Sequence, residues 1–165
     1  MESKFRIEII SSEHQRESFC CGVEPLDNYL KKLANQDIKR RIANCYAAIE
    51  NSTDKIAGYY TLSASAVSLA DIPKNLAKKL PRYPSVPVAI LGRLAVDKNY
   101  QKQRLGAALL WDAINRSIKS EIMVFALIVD SKDKLSTNFY MHHGFIKLES
   151  MEKKLILPLT SIAKK

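Results

Sequence analysis

The stretch LGRLAVDKNYQKQRLGAALL, residues 91–110, decides the fold of this 165-residue chain. Its first part ends an apolar, strand-like run that spans Val86–Val96, and its last part opens a segment, Leu105–Ile118, with the apolar spacing of a helix. A second apolar run, Ile122–Val129, follows, as expected for a strand covered on both faces. This order predicts a βαβ unit between about Val86 and Val129.

The turn inside this unit is polar and basic. A helix N-terminus carries unpaired N–H groups and a partial positive charge, so a phosphate can bind there. Gly106 would let an anion approach the backbone closely, and Lys102 and Arg104 add positive charge. The spacing alone is equally typical of an ordinary basic loop before a helix.

Strands and helices alternate in the rest of the chain, and no internal repeat or low-complexity tract interrupts them. We therefore predict a single domain, residues 1–165, of the mixed α/β (α+β) class. The other predicted elements are a strand at Lys4–Ile10, a helix from Leu26 to about Lys39, a hairpin of Ile42–Glu50 and Lys55–Ser63, a short helix at Ile72–Leu80, a helix at Ser131–His142 and a closing strand pair within His142–Leu157.

The composition is strongly basic. Lysine and arginine total 26 against 17 acidic residues, which gives a formal charge of +9. Such an excess favours a polyanion such as a nucleic acid, an anionic cofactor or an acidic protein. A solvated basic surface without a specific partner is the alternative.

Several classes of protein are disfavoured by the sequence. Cys20, Cys21 and Cys45 show neither a zinc spacing nor a disulfide framework, and the three histidines do not stand at metal-ligand spacing. We expect reduced, mostly buried thiols and no metal site. The chain shows no secretory signal and no transmembrane run, so we expect a soluble, cytoplasmic protein without a membrane partner.

Several motifs stand in order across almost the whole chain. They are Phe19, Cys21, Gly22, Leu26, Asp27 and Leu30, then Gly58–Ser63, Leu80–Pro84 with Pro87, Leu91–Asp97, Phe139–Tyr140 and Gly144–Phe145. Together they resemble the GNAT acetyltransferase toxins of type II toxin–antitoxin modules. The resemblance implies the GNAT fold, with a mixed, mostly antiparallel central sheet flanked by helices. It also implies acetyl-CoA as the acetyl donor.

The turn before Leu105 resembles the acetyl-CoA pyrophosphate loop of this superfamily through Gln101 and Gly106. Arg104 stands where the first glycine of the pattern usually stands, and we expect an arginine to avoid the positive φ that a glycine can adopt. By resemblance, backbone amides of the strand face the pantetheine arm and those of the turn hold the pyrophosphate, while Asn138 bonds the pantetheine amides or is a plain surface residue. The residues assigned to acetyl-CoA are Leu94, Ala95, Val96, Gln101, Lys102, Arg104, Leu105, Gly106, Ala107 and Asn138.

Tyr140 is the catalytic residue that the resemblance implies. An α-amino group titrates near ~8, so no strong carboxylate base is required, and the strand Val86–Val96 contains none. The departing thiolate does need a proton, and a positioned phenol can donate it. The alternative is that Phe139 and Tyr140 only anchor a helix to the core.

The family toxins acetylate the α-amino group of aminoacyl-tRNA, which stops translation, and are commonly neutralised by a ribbon-helix-helix antitoxin. Arg93 would guide the acceptor end, with a buried ion pair to an acid such as Asp130 as its alternative. Homodimers are frequent among similar proteins. The other residues assigned to tRNA are Lys31, Lys39, Arg40, Arg41, Lys78 and Arg82.

Two other functions stay open at this point. One is a GNAT enzyme that acetylates a small amine or a protein N-terminus, although such an enzyme has no need for a charge of +9. The other is a catalytically inactive GNAT fold that binds RNA or a protein, which the replacement of the loop glycine by Arg104 favours.

Overall fold

The computed structural model describes residues 3–148 and 153–163. Its strands form a seven-stranded sheet of order β1-β2-β3-β4-β5-β7-β6. They are β1 Phe5–Ile9, β2 Asn44–Glu50, β3 Ile56–Ser68, β4 Ser85–Val96, β5 Ala126–Asp130, β6 Ile146–Lys147 and β7 Lys154–Pro158. The helices are α1 Glu24–Asn28, α2 Ala34–Lys39, α3 Lys74–Ala77, α4 Leu105–Lys119, α5 Lys134–His142 and α6 Thr160–Ala163, with a π-helical turn at Tyr29–Leu33 and 3-10 turns at Leu69–Asp71 and Lys98–Tyr100.

The predicted βαβ unit is confirmed as β4, α4 and β5. Strands β4 and β5 pair in parallel from Val88 opposite Ala126 to Leu91 opposite Val129. The pairs β1 with β2, β2 with β3, β5 with β7 and β6 with β7 are antiparallel. The sheet is therefore mixed and mostly antiparallel, as predicted.

The chain forms two compact units, and β3, β4 and α4 each run through both. The first unit comprises Met1–Ser63 and Gly92–Ala113. Its core combines aliphatic side chains with three aromatic ones, and Phe19 packs edge-on against Tyr59 with ring centroids 5.6 Å apart. A Cβ on Gly58 would lie only 2.9 Å from the Ala95 carbonyl oxygen, so glycine is what lets β3 lie close to β4 here.

The second unit comprises Ala64–Leu91 and Ile114–Lys165. Its core is aliphatic and is formed by side chains of β4, β5 and β7 together with the segment around Ile72. The core residues include Val86, Val88, Ala126, Ile128, Leu148 and Ile156.

Three predicted elements differ from the structure. The helix predicted from Leu26 begins at Glu24 and is interrupted by the π turn. The helix predicted at Ile72–Leu80 is only the single turn Lys74–Ala77. The strand predicted from Ile122 begins only at Ala126, and Ile122 is 80 % exposed. The prediction was wrong here because apolar character alone does not show which part of an apolar run enters the sheet.

Side-chain caps and glycines explain other boundaries. Helix α5 begins at Lys134 rather than Ser131 because the Asp133 carboxylate accepts a hydrogen bond from the Ser136 N–H at 2.8 Å. It ends before Gly144, which has φ +98°. The closing strand pair is β6 and β7, shorter than predicted, and residues 149–152 between them lie outside the described part of the chain.

Candidate active site

The turn that follows β4 is fixed at its start by Asp97, which is 5 % exposed. The backbone N–H of Asp97 donates to the Ala57 carbonyl of β3 at 2.8 Å. Its carboxylate accepts hydrogen bonds from the N–H groups of Asn99 at 2.8 Å and Cys20 at 2.9 Å. This one side chain therefore ties the end of β4 to the segment that precedes α1.

Tyr100 and Gln101, later in the turn, both form side-chain hydrogen bonds within the protein. Tyr100 is buried, and its hydroxyl donates to Glu50 Oε1 at 2.8 Å. Gln101 donates from Nε2 to the carbonyls of Val96 at 2.9 Å and Cys21 at 3.1 Å. The Gln101 side chain is thus engaged in closing the turn, which leaves its backbone for any contact with a ligand.

Lys102 and Arg104 hold the turn in its unusual backbone shape. Their φ angles are +64° and +63°, in the left-handed region that favours glycine. The expectation that Arg104 avoids a positive φ is therefore wrong. Asp97 and Gln101 fix the start of the turn, and the side chains of Lys102 and Arg104 are exposed.

The backbone N–H groups of residues 102–107 donate no hydrogen bond to any residue in the described part of the chain. The first backbone bond of α4 runs from the Ala108 N–H to the Arg104 carbonyl at 3.1 Å, so Leu105, Gly106 and Ala107 supply the unpaired donors of its first turn. A row of open N–H groups at a helix N-terminus, beside two exposed cations, is an anion site of the kind that binds phosphate.

The strand that leads into the turn offers a second row of polar groups. N–H groups alternate in direction along a strand, and that of Asp97 points to β3. Those of Leu94 and Val96 therefore point to the opposite edge of β4, where the described residues of the first unit supply no strand partner. The N–H of Ala95, which was assigned with them, points toward β3, and its side chain is buried.

Together the turn and the strand edge fit a phosphate-bearing cofactor with an extended amide arm. The turn offers N–H donors and cations to phosphates, while the β4 edge offers the donors that an extended amide chain accepts as an added strand would. The donors come from assigned residues of the β4 edge and the turn: Leu94, Val96, Lys102, Arg104, Leu105, Gly106 and Ala107. Three other assigned residues differ: the Ala95 N–H points toward β3, the Gln101 side chain closes the turn, and Asn138 lies exposed on α5 in the second unit.

Tyr140 lies near the end of α5 in the second unit and is 7 % exposed. Its ring packs edge-on against Phe145, with centroids 5.4 Å apart. Its hydroxyl forms no hydrogen bond with a residue in the described part of the chain. Burial raises the pKa of Tyr140 to about 12, which keeps the phenol protonated at neutral pH.

Arg93 is half-buried on β4 in the first unit. Its guanidinium carbon lies 3.6 Å from the centroid of the Tyr29 ring. Among the described residues of that unit, its partner is thus an aromatic face and not a carboxylate.

The remaining basic residues assigned from sequence occupy two places. In the first unit Lys39 and Arg40 end α2, Arg41 follows them and Lys31 lies in the π turn, while Lys78 and Arg82 lie in the second unit. Lys31 is half-buried and the other five are exposed. None of the six forms a salt bridge with a described residue.

Two structural residues of this region were missed in the sequence. Asp97 was read only as the end of a strand, although an Asp two residues before Asn99 at the start of a turn is a typical capping arrangement. Tyr29 was read only as part of an apolar stripe. No sequence signal pointed to its contact with Arg93, because the π turn that orients the ring is not visible in the residue spacing.

Two searches concern other kinds of site. Within residues 3–148 and 153–163, His, Cys, Asp and Glu form no group of three able to hold a metal ion. No helix in the described ranges is both long and apolar enough to cross a bilayer.

Comparison with known proteins gives one family and close relatives. The model of the acetyltransferase (GNAT) family matches residues 8–145. Over 138 residues the chain is 33 % identical to a tRNA-acetylating toxin of Mycobacterium tuberculosis, a match that covers 82 % of this chain and 81 % of that protein.

Solved structures agree over almost the full length. AtaT complexed with acetyl-methionyl-tRNAfMet is 31 % identical with a TM-score of 0.89, covering 96 % of each chain. A tyrosine-to-phenylalanine mutant of the AtaT toxin, bound to the C-terminus of the antitoxin AtaR and acetyl-CoA, is 26 % identical with a TM-score of 0.80, covering 97 % of this chain and 96 % of that chain. The predicted GNAT fold is confirmed.

The left-handed conformation of Arg104 gives a stability prediction. Arg104→Gly should be about 1 kcal/mol more stable than Arg104→Ala, because alanine keeps the backbone strain that glycine relieves. Urea unfolding of the two variants measures the difference, and the alanine variant isolates the effect of losing the side chain. Equal stability, or a more stable alanine variant, would show that the turn does not hold residue 104 in this conformation.

Proposed function

The chain belongs to the acetyltransferase (GNAT) family, and from this membership we propose that it transfers the acetyl group of acetyl-CoA to the α-amino group of an aminoacyl-tRNA. An acetylated amino group is no longer a nucleophile, so an aminoacyl-tRNA modified in this way no longer supports normal translation. The chain would then act as the toxin of a toxin–antitoxin pair. The similar proteins include a tRNA-acetylating toxin and a toxin complexed with an acetylated aminoacyl-tRNA.

The observation that carries the proposal is the row of open N–H groups at residues 102–107, which donate to no described residue. In this proposal they bind the pyrophosphate of acetyl-CoA, aided by the charges of Lys102 and Arg104. The N–H groups of Leu94 and Val96 bind the amide arm. The AtaT mutant structure, which contains acetyl-CoA, supports this choice of ligand.

Acetyl transfer requires the protein to orient acetyl-CoA and the acceptor amine and to supply one proton to the leaving sulfur. Bound acetyl-CoA supplies an activated thioester, and the acceptor supplies an α-amino group that is partly neutral near pH 7 because its pKa is near ~8. As the amine nitrogen bonds to the thioester carbonyl carbon and the C–S bond breaks, Tyr140 donates its phenolic proton to the departing sulfur. The new amide releases its extra proton to solvent, from which the phenol is restored. The raised pKa of Tyr140, about 12, keeps the phenolic proton in place across the range in which the amine becomes neutral.

The exposed basic residues fit the acceptor. Six cations without a salt bridge among the described residues are available to bind phosphates of a polynucleotide: Lys31, Lys39, Arg40, Arg41, Lys78 and Arg82. Binding through such contacts depends strongly on salt, since each one releases counterions. Arg93 differs from these six residues because its guanidinium lies over the ring of Tyr29.

The partners follow from the same proposal. We expect an antitoxin whose segment over the basic surface is acidic, by charge complementarity. The antitoxin-bound AtaT structure supports this class of partner. A ribbon-helix-helix fold for that antitoxin, a homodimeric state of the toxin and a cytoplasmic location stay predictions.

Of the other functions, the inactive binding module loses the feature that favoured it. Arg104 adopts the backbone conformation of the glycine that it replaces, so the substitution leaves the turn intact. Acetylation of a small or protein amine is the alternative that an acceptor assay separates.

The acceptor assay uses the purified protein with labelled acetyl-CoA and total aminoacylated tRNA. We expect the label on the tRNA fraction, and alkaline deacylation should release it as an N-acetylated amino acid. Uncharged tRNA is the matched control and should remain unlabelled. Label that appears only on added small amines or peptides would reject aminoacyl-tRNA as the substrate.

Tyr140→Phe should slow acetyl transfer by ~100-fold to 10,000-fold, because the variant keeps the ring packing but has no proton to donate. Single-turnover rates measure the loss, and calorimetric titration should give an unchanged Kd for acetyl-CoA. Phe139→Leu, a neighbour on α5, is the control for general disturbance of the helix. A Tyr140→Phe enzyme with wild-type turnover would remove the phenol from the mechanism.

A further inference from the structure

The helical segment between residues 24 and 39 contains a π turn at Tyr29–Leu33. There the Ala34 N–H donates to the Tyr29 carbonyl, whereas in an α-helix it would donate to the carbonyl of Leu30. A π turn is rare and is frequently found at functional sites. The irregularity rotates the residues that precede it relative to those that follow.

Arg16 bonds the carbonyl that the π turn leaves open. It is 8 % exposed, and its Nη1 donates to the Leu30 carbonyl at 3.0 Å. Its Nη2 donates to the Ser11 carbonyl at 2.6 Å and to Asn35 Oδ1 at 2.8 Å. A buried arginine thus stabilises the π turn from the β1–α1 connection.

The π turn begins at Tyr29, whose ring is fixed on several sides. The residue is 2 % exposed, and its hydroxyl donates to Asp37 Oδ2 at 2.7 Å. The ring stacks on Tyr59 at 6.2 Å between centroids and 15° between planes. Burial raises the pKa of Tyr29, so the hydroxyl keeps its proton and remains a donor.

Arg93 lies over this ring with its carbon Cζ 3.6 Å from the centroid. Its guanidinium forms no hydrogen bond or ion pair with a described residue, and no buried side-chain nitrogen among those residues lacks a partner, so its N–H groups face solvent. A guanidinium held by its face with its N–H groups open presents the planar fork that pairs with phosphate in two parallel hydrogen bonds.

We propose that Tyr29 is a positioning residue that holds Arg93 against a phosphate of the acceptor RNA, in the single-stranded end that carries the amino acid. This inference rests on the proposed function. An aminoacyl ester has no free carboxylate, so a phosphate is the anion that this acceptor offers beside its amine. The six exposed or half-buried lysines and arginines would supply general affinity, and Arg93 would fix the position of the end.

The first test compares variants of Arg93, whose side chain is half-buried on β4. Arg93→Gln should raise the KM for aminoacyl-tRNA about tenfold or more, as expected for a lost charged hydrogen bond. It should also lower the salt slope of RNA binding by about 0.7. Arg93→Lys keeps the charge but not the planar fork, and should recover less than half of the lost affinity.

The second test asks whether Tyr29 acts through Arg93. Tyr29→Leu should raise the KM for aminoacyl-tRNA several-fold, while Tyr29→Phe, which keeps the ring and loses only the bond to Asp37, should stay within about twofold of wild type. The double variant Tyr29→Leu with Arg93→Gln should be no worse than Arg93→Gln alone. The Kd for acetyl-CoA should be unchanged throughout, which a merely structural role of Tyr29 would not predict.

The proposal would be overturned if the effects of Tyr29→Leu and Arg93→Gln on the KM for aminoacyl-tRNA were additive in the double variant. It would also be overturned if the Arg93→Lys enzyme had the KM of the wild type. If Tyr29→Leu does not fold, the comparison of Arg93→Lys with Arg93→Gln and of Tyr29→Phe with wild type decides it. A wild-type enzyme that transfers no acetyl group to aminoacyl-tRNA would refute the proposed function instead. RNA binding with an Arg93-dependent salt slope would then still support the anion contact, and a slope unaffected by Arg93→Gln would overturn it.

Discussion

The backbone of the turn after β4 is the constraint on which the candidate active site depends. A row of N–H groups that faces outward requires residues in the left-handed conformation, which costs roughly 1–2 kcal/mol for each residue other than glycine. Lys102 and Arg104 adopt it in a turn whose start is fixed by hydrogen bonds of the Asp97 and Gln101 side chains inside the protein. The strain is thus offset by contacts on the buried side, and the donors remain open on the other side.

The same arrangement recurs around Arg93. The buried side is satisfied by the π turn, the Tyr29–Tyr59 stack and Arg16, and the Arg93 guanidinium over the Tyr29 ring has no hydrogen-bond or ion-pair partner among the described residues. In both places a rigid apolar or hydrogen-bonded base holds polar groups in a fixed direction. Because folding already fixes the orientation of these polar groups, binding of a ligand does not carry the free-energy cost of ordering them.

The sequence predicted the order of elements and the position of the turn between β4 and α4, because apolar periodicity and loop position are local properties. It did not predict the start of β5, since Ile122 belongs to an apolar run that only partly enters the sheet. It misjudged Arg104, because the conformation of the folded turn, and not the preference of the residue alone, decides its φ. It could not show the contact of Tyr29 with Arg93, which depends on a π turn and on residues 64 positions apart in the chain.

The most direct test of the central claim is an NMR titration of isotopically labelled protein with coenzyme A, observing backbone amides. The account predicts that the resonances of residues 102–107 shift and that their hydrogen exchange slows as the ligand binds. Pantetheine, which lacks the phosphates, should move Leu94 and Val96 and leave the turn unchanged. Amides of the turn that do not respond to coenzyme A, while others do, would contradict the account.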